Sequence, residues 1–264
     1  MNRRRWLTIL CVALLLLVAL PVLAQDPEPA AGPLDGILNF FGITPDMLEA
    51  ASQPVSAEND LGALLATLPQ WRTEDGAFVI GPEDAPFTLV EFADWACPHC
   101  ITYERETVTT FLRDHVATGQ AAFEFRPFPT AGGDTTVAAI QLLECAETLH
   151  PGAFWSSYTT LYEMAAAGAY NVDTIIQMLT SRLEVTRQDL VNCVMTWSEN
   201  NEKPMQIQTD YEFALAAGVT GTPSVLVRFD GGEAQPLEWE GQTWNQGGVP
   251  LQILSAVIAS VQPE

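Results

Sequence analysis

The hydrophobic pattern predicts a β-α-β unit in the first half of the chain. Residues 87–92 form a β-rich run without the polar breaks of an exposed strand, as expected for a buried strand. A helical stretch follows to about residue 117 and ends at Gly119. Residues 121–128 then alternate phenylalanines with charged side chains, which predicts a second strand. A short apolar segment, residues 77–80, predicts another strand just before the unit.

The rest of the pattern is helical and then returns to strand. Residues 132–203 read as helices throughout, and two apolar faces at helical spacing each contain one cysteine: Ala138, Leu142, Cys145 and Leu149; Leu190, Cys193, Val194 and Trp197. We then predict a helix at about 205–217, a strand at 224–229, a second strand from about 236 to 244, and a final helix at 250–261. The turn Asp230-Gly231-Gly232 joins the two strands in this prediction.

The first 24 residues read as an export signal. Three arginines precede an unbroken run of 12 apolar residues at positions 9–20, and Val22-Leu23-Ala24 offers the small residues that signal peptidase requires. Residues 7–24 are also almost long enough to remain as an uncleaved membrane anchor. We predict an extracytoplasmic protein, secreted, periplasmic or anchored. Residues 25–76 are interpreted as a spacer followed by a helical extension with helices at 34–50 and 61–68.

Composition and charge narrow the class of partner. The chain has 11 Lys plus Arg against 33 Asp plus Glu, a net charge of −22, and cleavage after Ala24 would remove three arginines and no acid. Phosphate binding depends on clustered basic residues, so the sequence excludes a nucleic-acid binder. The 48% hydrophobic content excludes intrinsic disorder and predicts a folded core. Proteins or small molecules remain as partners.

The candidate chemistry lies in Cys97-Pro98-His99-Cys100, at the junction of the buried strand and the following helix. The helix N-terminus offers unpaired N–H groups and the positive end of the dipole, which favour a thiolate at Cys97. His99 adds a donor and, when protonated, a positive charge. The two cysteines could alternatively be half of a zinc site or an inert structural disulfide. The sequence has no second pair of ligands at zinc spacing, and so small a ring would stabilise little.

These residues resemble a known family. The segment from Glu91 to Cys100, followed far downstream by Gly218-Val219-Thr220-Gly221-Thr222-Pro223, is similar to the exported DsbA-like thiol-disulfide oxidoreductases over about residues 81–261. The resemblance implies an α/β, thioredoxin-like fold with halves at 77–130 and 204–264, and an all-helical insertion at 131–203 between them. It does not cover the N-terminal extension.

The resemblance also implies roles for individual residues. Cys97 is expected to be the nucleophile and Cys100 the buried resolving thiol. Thr222 and Pro223 match the family's cis-proline loop, which binds an extended client peptide; an ordinary trans turn is the alternative. Glu91 matches the buried acid beneath the disulfide and would exchange the proton of Cys100, unless it is merely paired at the end of the sheet.

Cys145 and Cys193 lie outside this motif. Because an even number of cysteines in an oxidising compartment favours disulfides, we predict a structural bond between them, with two free core thiols and a second redox relay as alternatives.

Together these features predict an enzyme that oxidises cysteine pairs in exported client proteins, without a cofactor or metal. The resemblance implies a quinone-linked membrane partner of the DsbB or VKOR type that reoxidises it. A reductase or isomerase using the same thiols, and a non-catalytic client-binding module, are the alternatives.

Overall fold

The computed structural model describes residues 61–200 and 206–262, with only the backbone for residues 197–200. The predicted export signal, the spacer and the helix at 34–50 lie outside the described residues. Within those residues, no helix combines the length and hydropathy needed to cross a bilayer.

A five-stranded mixed sheet organises the fold. Its strands are β1 (Gln70–Arg72), β2 (Phe78–Ile80), β3 (Phe87–Ala93), β4 (Ala122–Pro127) and β5 (Ser224–Phe229). They lie in the order β1-β2-β4-β3-β5, where β3 and β4 are parallel and all other neighbours are antiparallel. Every residue of β3 and β4 is buried, because both strands are covered on both faces. The chain leaves the buried end of β3 directly toward the cysteine motif.

The helices cover this sheet. A short α1 (Leu61–Leu65) precedes it, and α2 follows β3. Helix α2 begins with Pro98–Tyr103 and continues through a π-helical turn (Glu104–Val108), an α-helical turn (Thr109–Phe111) and a second π-helical turn (Leu112–Val116). The remaining helices are α3 (Asp134–Leu149), α4 (Ala153–Ala166), α5 (Val172–Arg182), α6 (Arg187–Asn200), α7 (Gln206–Ala216) and α8 (Leu251–Val261). The α/β sheet interrupted by helices α3 to α6 confirms the predicted fold class.

The helical insertion shares its core with the sheet. Helix α4 places Phe154 and Tyr158 against Phe125 of β4, with ring centroids 6.1 and 5.1 Å apart. Trp95, which follows β3, contacts the same aromatic group and is fully buried. This cluster joins the insertion to the segment between β3 and the cysteine motif, so it holds the insertion against the sheet next to the motif.

The prediction of one long strand at 236–244 was wrong. The chain forms two three-residue strands, β6 (Leu237–Trp239) and β7 (Gln242–Trp244), which pair with each other in a separate hairpin. The turn between them places Glu240 and Gly241 at positive φ (50° and 77°), which reverses the chain. Strand β1 was also absent from the prediction, since its three residues have no repeated pattern.

A disulfide joins Cys145 of α3 to Cys193 of α6 across 48 residues of sequence. We expect the double substitution Cys145→Ala/Cys193→Ala to lower the free energy of unfolding by up to about 4 kcal/mol, because the unfolded chain gains the entropy of an open loop of this length. Urea unfolding of the variant and the parent protein measures the difference. An unchanged midpoint would show that the bond contributes nothing to stability. Oxidation of a test peptide serves as the control, since neither cysteine belongs to the Cys97 motif.

Candidate active site

Cys97 and Cys100 lie at the beginning of α2. Cys97 is the N-cap residue with extended backbone (φ −75°, ψ 121°), and its C=O accepts the first helical hydrogen bond from Ile101 at 3.0 Å. Pro98 occupies the first helical position, where the missing N–H would have no intrahelical partner. Cys97 is 7% exposed and Cys100 is fully buried. Only the sulfur of Cys97 is therefore open to attack from outside.

Asp94 holds the segment in front of the motif. One of its oxygens accepts hydrogen bonds from the Ala96 N–H and the Thr136 hydroxyl at 3.0 and 2.6 Å. The other accepts from the N–H groups of Thr130 and Gly132 at 2.7 and 2.8 Å. A Cβ on Gly132 would lie 2.8 Å from Asp94 and 2.1 Å from Thr136, so only glycine fits there. A single buried carboxylate thus fixes the end of β3 against the start of the insertion.

The loop before β5 closes the site from the other side. The Thr222–Pro223 peptide bond is cis, and the carbonyl oxygen of Thr222 lies 3.5 Å from the sulfur of Cys97. The Thr222 hydroxyl also hydrogen-bonds the Thr130 hydroxyl at 2.8 Å, which links this loop to the segment that Asp94 holds. Thr222 and Pro223 are therefore brought to the exposed side of Cys97.

The environment of Cys97 favours its thiolate. Burial by itself raises the pKa of this thiol. Four hydrogen bonds outweigh this effect, and the pKa falls below its usual value. The donors are the Thr222 side chain, the backbone N–H groups of Cys100 and His99, and the Cys100 thiol. The imidazole of His99 makes no hydrogen bond within the described part of the chain and is exposed. His99 acts on the thiolate through its backbone N–H, which is one of the donors that lower the pKa of Cys97.

Cys100 experiences the opposite effect. Burial raises the pKa of its thiol strongly, and the Glu91 carboxyl raises it further at any pH where that carboxyl is ionised. Glu91 lies on β3, is fully buried, and neither of its carboxylate oxygens has a hydrogen-bond partner among the described residues. Burial, followed by repulsion from Glu104, raises the pKa of Glu91 well above its usual value. The Glu91 carboxyl is therefore protonated, and it interacts electrostatically with the Cys100 thiol, which is also protonated.

Sequence reasoning missed Glu104. It follows Cys100 by four residues on α2, which places both side chains on one face of the helix. Glu104 is 4% exposed and accepts hydrogen bonds from the hydroxyls of Tyr158 and Thr109 at 2.8 and 3.3 Å. Burial raises its pKa to about 7, although both hydrogen bonds act in the opposite direction. The spacing from Cys100 was the signal that could have identified it.

We expect Cys97 to titrate below the value of about 8.5 typical of a free thiol. Cys100 should remain protonated throughout that range. Ultraviolet thiolate absorbance of the reduced protein, followed against pH, measures both groups, and Cys97→Ser removes the first titration as the control. A thiolate signal that appears only at or above pH 8.5 would contradict the expected environment of Cys97.

No group of three or more His, Cys, Asp or Glu side chains in residues 61–200 and 206–262 is arranged to hold a metal ion. The two cysteines of the motif are both free thiols. Two thiols three residues apart, one with a lowered and one with a raised pKa, support exchange between thiols and disulfides.

Comparison with known proteins identifies the family. A family model described as thioredoxin matches residues 73–240. The disulfide bond formation protein D of Bacillus subtilis is 26% identical over 157 residues, which cover 58% of this chain and 68% of that protein. A probable disulfide bond formation protein D of Bacillus cereus is 24% identical over 56% of this chain and 68% of its own length.

Solved structures share the fold. The crystal structure of Wolbachia pipientis alpha-DsbA1 aligns with a TM-score of 0.54 and 19% identity, covering 72% of this chain and 92% of that one. Oxidised BdbD from Bacillus subtilis aligns with a TM-score of 0.54 and 18% identity, covering 69% and 90%. Because the family model spans well over half of the 264 residues, the chain belongs to the thioredoxin family, and within it to the DsbA-like thiol-disulfide oxidoreductases.

Proposed function

We propose that this protein oxidises pairs of cysteines in exported client proteins, with Cys97 as the nucleophile and Cys100 as the resolving thiol. The observation that carries the proposal is the contrast between the two thiols. The pKa of Cys97 is lowered, whereas that of Cys100, three residues away, is raised. A stable Cys97 thiolate stabilises the reduced form of the enzyme, so the disulfide form readily takes electrons from a client.

The reaction then has two exchange steps. A client thiolate attacks the sulfur of Cys97, the Cys97–Cys100 bond breaks, and a mixed disulfide between client and Cys97 forms. The sulfur of Cys100 leaves with the electron pair and takes a proton, for which the buried Glu91 carboxyl is the proposed donor. The second client thiolate attacks the client sulfur of the mixed disulfide, and Cys97 leaves as a thiolate. The client leaves oxidised and the enzyme is reduced by two electrons.

The Thr222–Pro223 loop is the proposed docking edge for the client. Its Thr222 carbonyl lies 3.5 Å from the sulfur of Cys97. An extended client segment that pairs with the backbone at this edge would bring its own cysteine to Cys97. Pro98 is proposed to set the beginning of α2 and His99 to supply its backbone N–H to the thiolate.

Location and partners follow from the same proposal. DsbA-like proteins act outside the cytoplasm, and the sequence before residue 25 predicts export. Continued turnover requires an acceptor for the two electrons on Cys97 and Cys100. We propose a quinone-linked membrane protein of the DsbB or VKOR type. The Cys145–Cys193 bond, on α3 and α6, is proposed to be structural.

The redox potential of the Cys97–Cys100 pair tests the proposed direction. Equilibration of the protein in glutathione buffers, followed by alkylation and mass measurement, should give a potential less negative than about −200 mV, near the poise of oxidising compartments. The Cys145→Ala/Cys193→Ala variant is the control, because it removes the other disulfide from the measurement. A potential near the ~−270 mV of thioredoxin would instead identify a reductase.

A further inference from the structure

A groove of about 400 Å³ lies directly beside the reactive thiol. Residues of three segments line it, four from one face of α2, two from the loop before β5 and one from the segment between β7 and α8: His99, Thr102, Tyr103, Glu106, Thr222, Pro223 and Gly247. Because Thr222 also contacts the sulfur of Cys97, a client side chain next to the reacting cysteine would enter this groove.

The lining of the groove includes the aromatic residue Tyr103. The Tyr103 hydroxyl donates to the Val249 carbonyl and accepts from the Val249 N–H, both at 3.1 Å, so its polar atom is fully used inside the protein. The ring packs so closely on the backbone that a Cβ at Gly248 would come within 2.4 Å of it. What Tyr103 offers to the groove is therefore a fixed ring. Such a ring accepts the methylene groups of a long side chain and attracts a cation at its face.

The far end of the groove is negatively charged. Glu106 lies two helical turns beyond His99, is exposed, and makes no hydrogen bond or ion pair with any described residue. The adjacent Arg105 forms no ion pair with Glu106, and it lines a different cavity together with Arg113 and Arg182. Residues adjacent in a helix point in different directions. The carboxylate of Glu106 is thus available to a ligand in the groove.

We propose that this groove selects clients that have a lysine or arginine next to the cysteine to be oxidised, and that Glu106 determines this specificity. The aliphatic part of the side chain packs on Tyr103, and its charged end reaches Glu106. A long side chain is required, since two helical turns measure about 11 Å. This inference rests on the proposed function, because it requires a client bound at Thr222.

Three peptides test the proposal. Each has two cysteines and differs only in the residue beside the first one, which is lysine, norleucine or glutamate. Norleucine has a similar length to lysine without the charge. We expect the oxidised full-length protein to have a kcat/KM for the lysine peptide about threefold higher than for the norleucine peptide. A ratio of this size corresponds to the strength of one exposed ion pair. The glutamate peptide should be oxidised slowest.

Variants locate the effect. Glu106→Gln should bring the ratio between the lysine and norleucine peptides close to one, and Glu106→Lys should reverse the order of the lysine and glutamate peptides. Glu83→Lys is the matched control. It makes the same change of charge at an exposed residue before β3, about 20 Å away along that strand, and should leave the wild-type order of peptides unchanged.

The outcomes separate this inference from the proposed function. Equal oxidation of all three peptides by the wild-type protein would overturn the inference and leave the oxidase function intact. A preference that Glu83→Lys weakens as much as Glu106→Lys would also overturn it, because attraction by the net negative charge would then be sufficient. Failure to oxidise any of the peptides would contradict the proposed function itself, and with it the inference.

Discussion

Cys100→Ser is expected to stop the reaction at the mixed disulfide and to accumulate covalent complexes between this protein and its clients. The variant keeps Cys97, whose thiolate is stabilised by Thr222 and by the N–H groups at the beginning of α2. Cys97 therefore still forms a bond with a client sulfur, for example by attacking a client disulfide. Without Cys100 the enzyme cannot form the Cys97–Cys100 disulfide that accepts the two electrons, so client oxidation should be abolished. Only a client thiol can then release Cys97 from the complex, which therefore persists. Non-reducing gels of material from the exported fraction, followed by mass spectrometry, measure the complexes.

Cys97→Ser is the matched control, because it removes the thiol that the client reaches and leaves Cys100, which is fully buried. This variant should form no mixed disulfides, and the double variant should behave in the same way. Equal amounts of complex from both single variants would mean that a client can reach Cys100. The assignment of nucleophile and resolving thiol would then be wrong.

The sequence was sufficient to predict the fold class and the cysteine motif, because the information is local there. The apolar run at 87–92 matches β3, and Pro98 after the strand marks the beginning of α2. The predicted β-α-β unit is present, and its two strands, β3 and β4, are parallel. These elements depend on the periodic spacing of hydrophobic residues and on the preference of proline for the first position of a helix. Both signals lie within a few consecutive residues of the sequence.

The network around the motif could not be predicted in this way. Asp94 binds residues 36 to 42 positions downstream, and Thr130 meets Thr222 across 92 positions. Polar pairs at such separations have no periodic signature in a single sequence. The hairpin of β6 and β7 was misread for a related reason, since Glu240 adopts positive φ in a turn that its residue type does not favour.

The buried acids of the sheet differ in how their charge is compensated. On β4, Arg126 is fully buried and forms ion pairs with Glu124 at 2.6 Å and with Asp210 at 2.9 Å. Arg228 adds a second cation to Glu124 at 2.9 Å. Glu91, on the neighbouring strand, has no such cation and no hydrogen-bond donor in the described part of the chain. A structural carboxylate is normally paired when buried, so the isolation of Glu91 favours a role in proton exchange.

Glu91→Gln is therefore expected to stabilise the protein above about pH 5 and to slow its reaction. The folded state raises the pKa of Glu91 well above the usual 4.5, so between these values the folded protein binds a proton that the unfolded chain releases. Stability is then complete at low pH and is lost as the pH rises toward the folded pKa, by up to about 1.4 kcal/mol per pH unit. Glutamine has a similar shape and no charge, so it removes this loss.

The same substitution removes the proposed proton donor for Cys100. Because Cys100 has a raised pKa, it is a poor leaving group unless it is protonated as the Cys97–Cys100 bond breaks. Client oxidation by Glu91→Gln should therefore be slower by about a hundredfold, as is usual for the loss of a general acid. The increase in stability and the decrease in rate are expected together, which a merely structural role would not produce.

Urea unfolding between pH 5 and pH 8, together with single-turnover oxidation of a peptide, measures both effects. Glu104 remains in the variant and, with a pKa of about 7, should still remove about 3 kcal/mol of stability between pH 4.5 and pH 7. Glu124→Gln is the control on the adjacent strand. It should destabilise the protein across this pH range, because Arg126 and Arg228 lose a buried partner. If the unfolding curves of Glu91→Gln and the parent protein run parallel with pH, Glu91 is ionised in the folded state and cannot supply the proton.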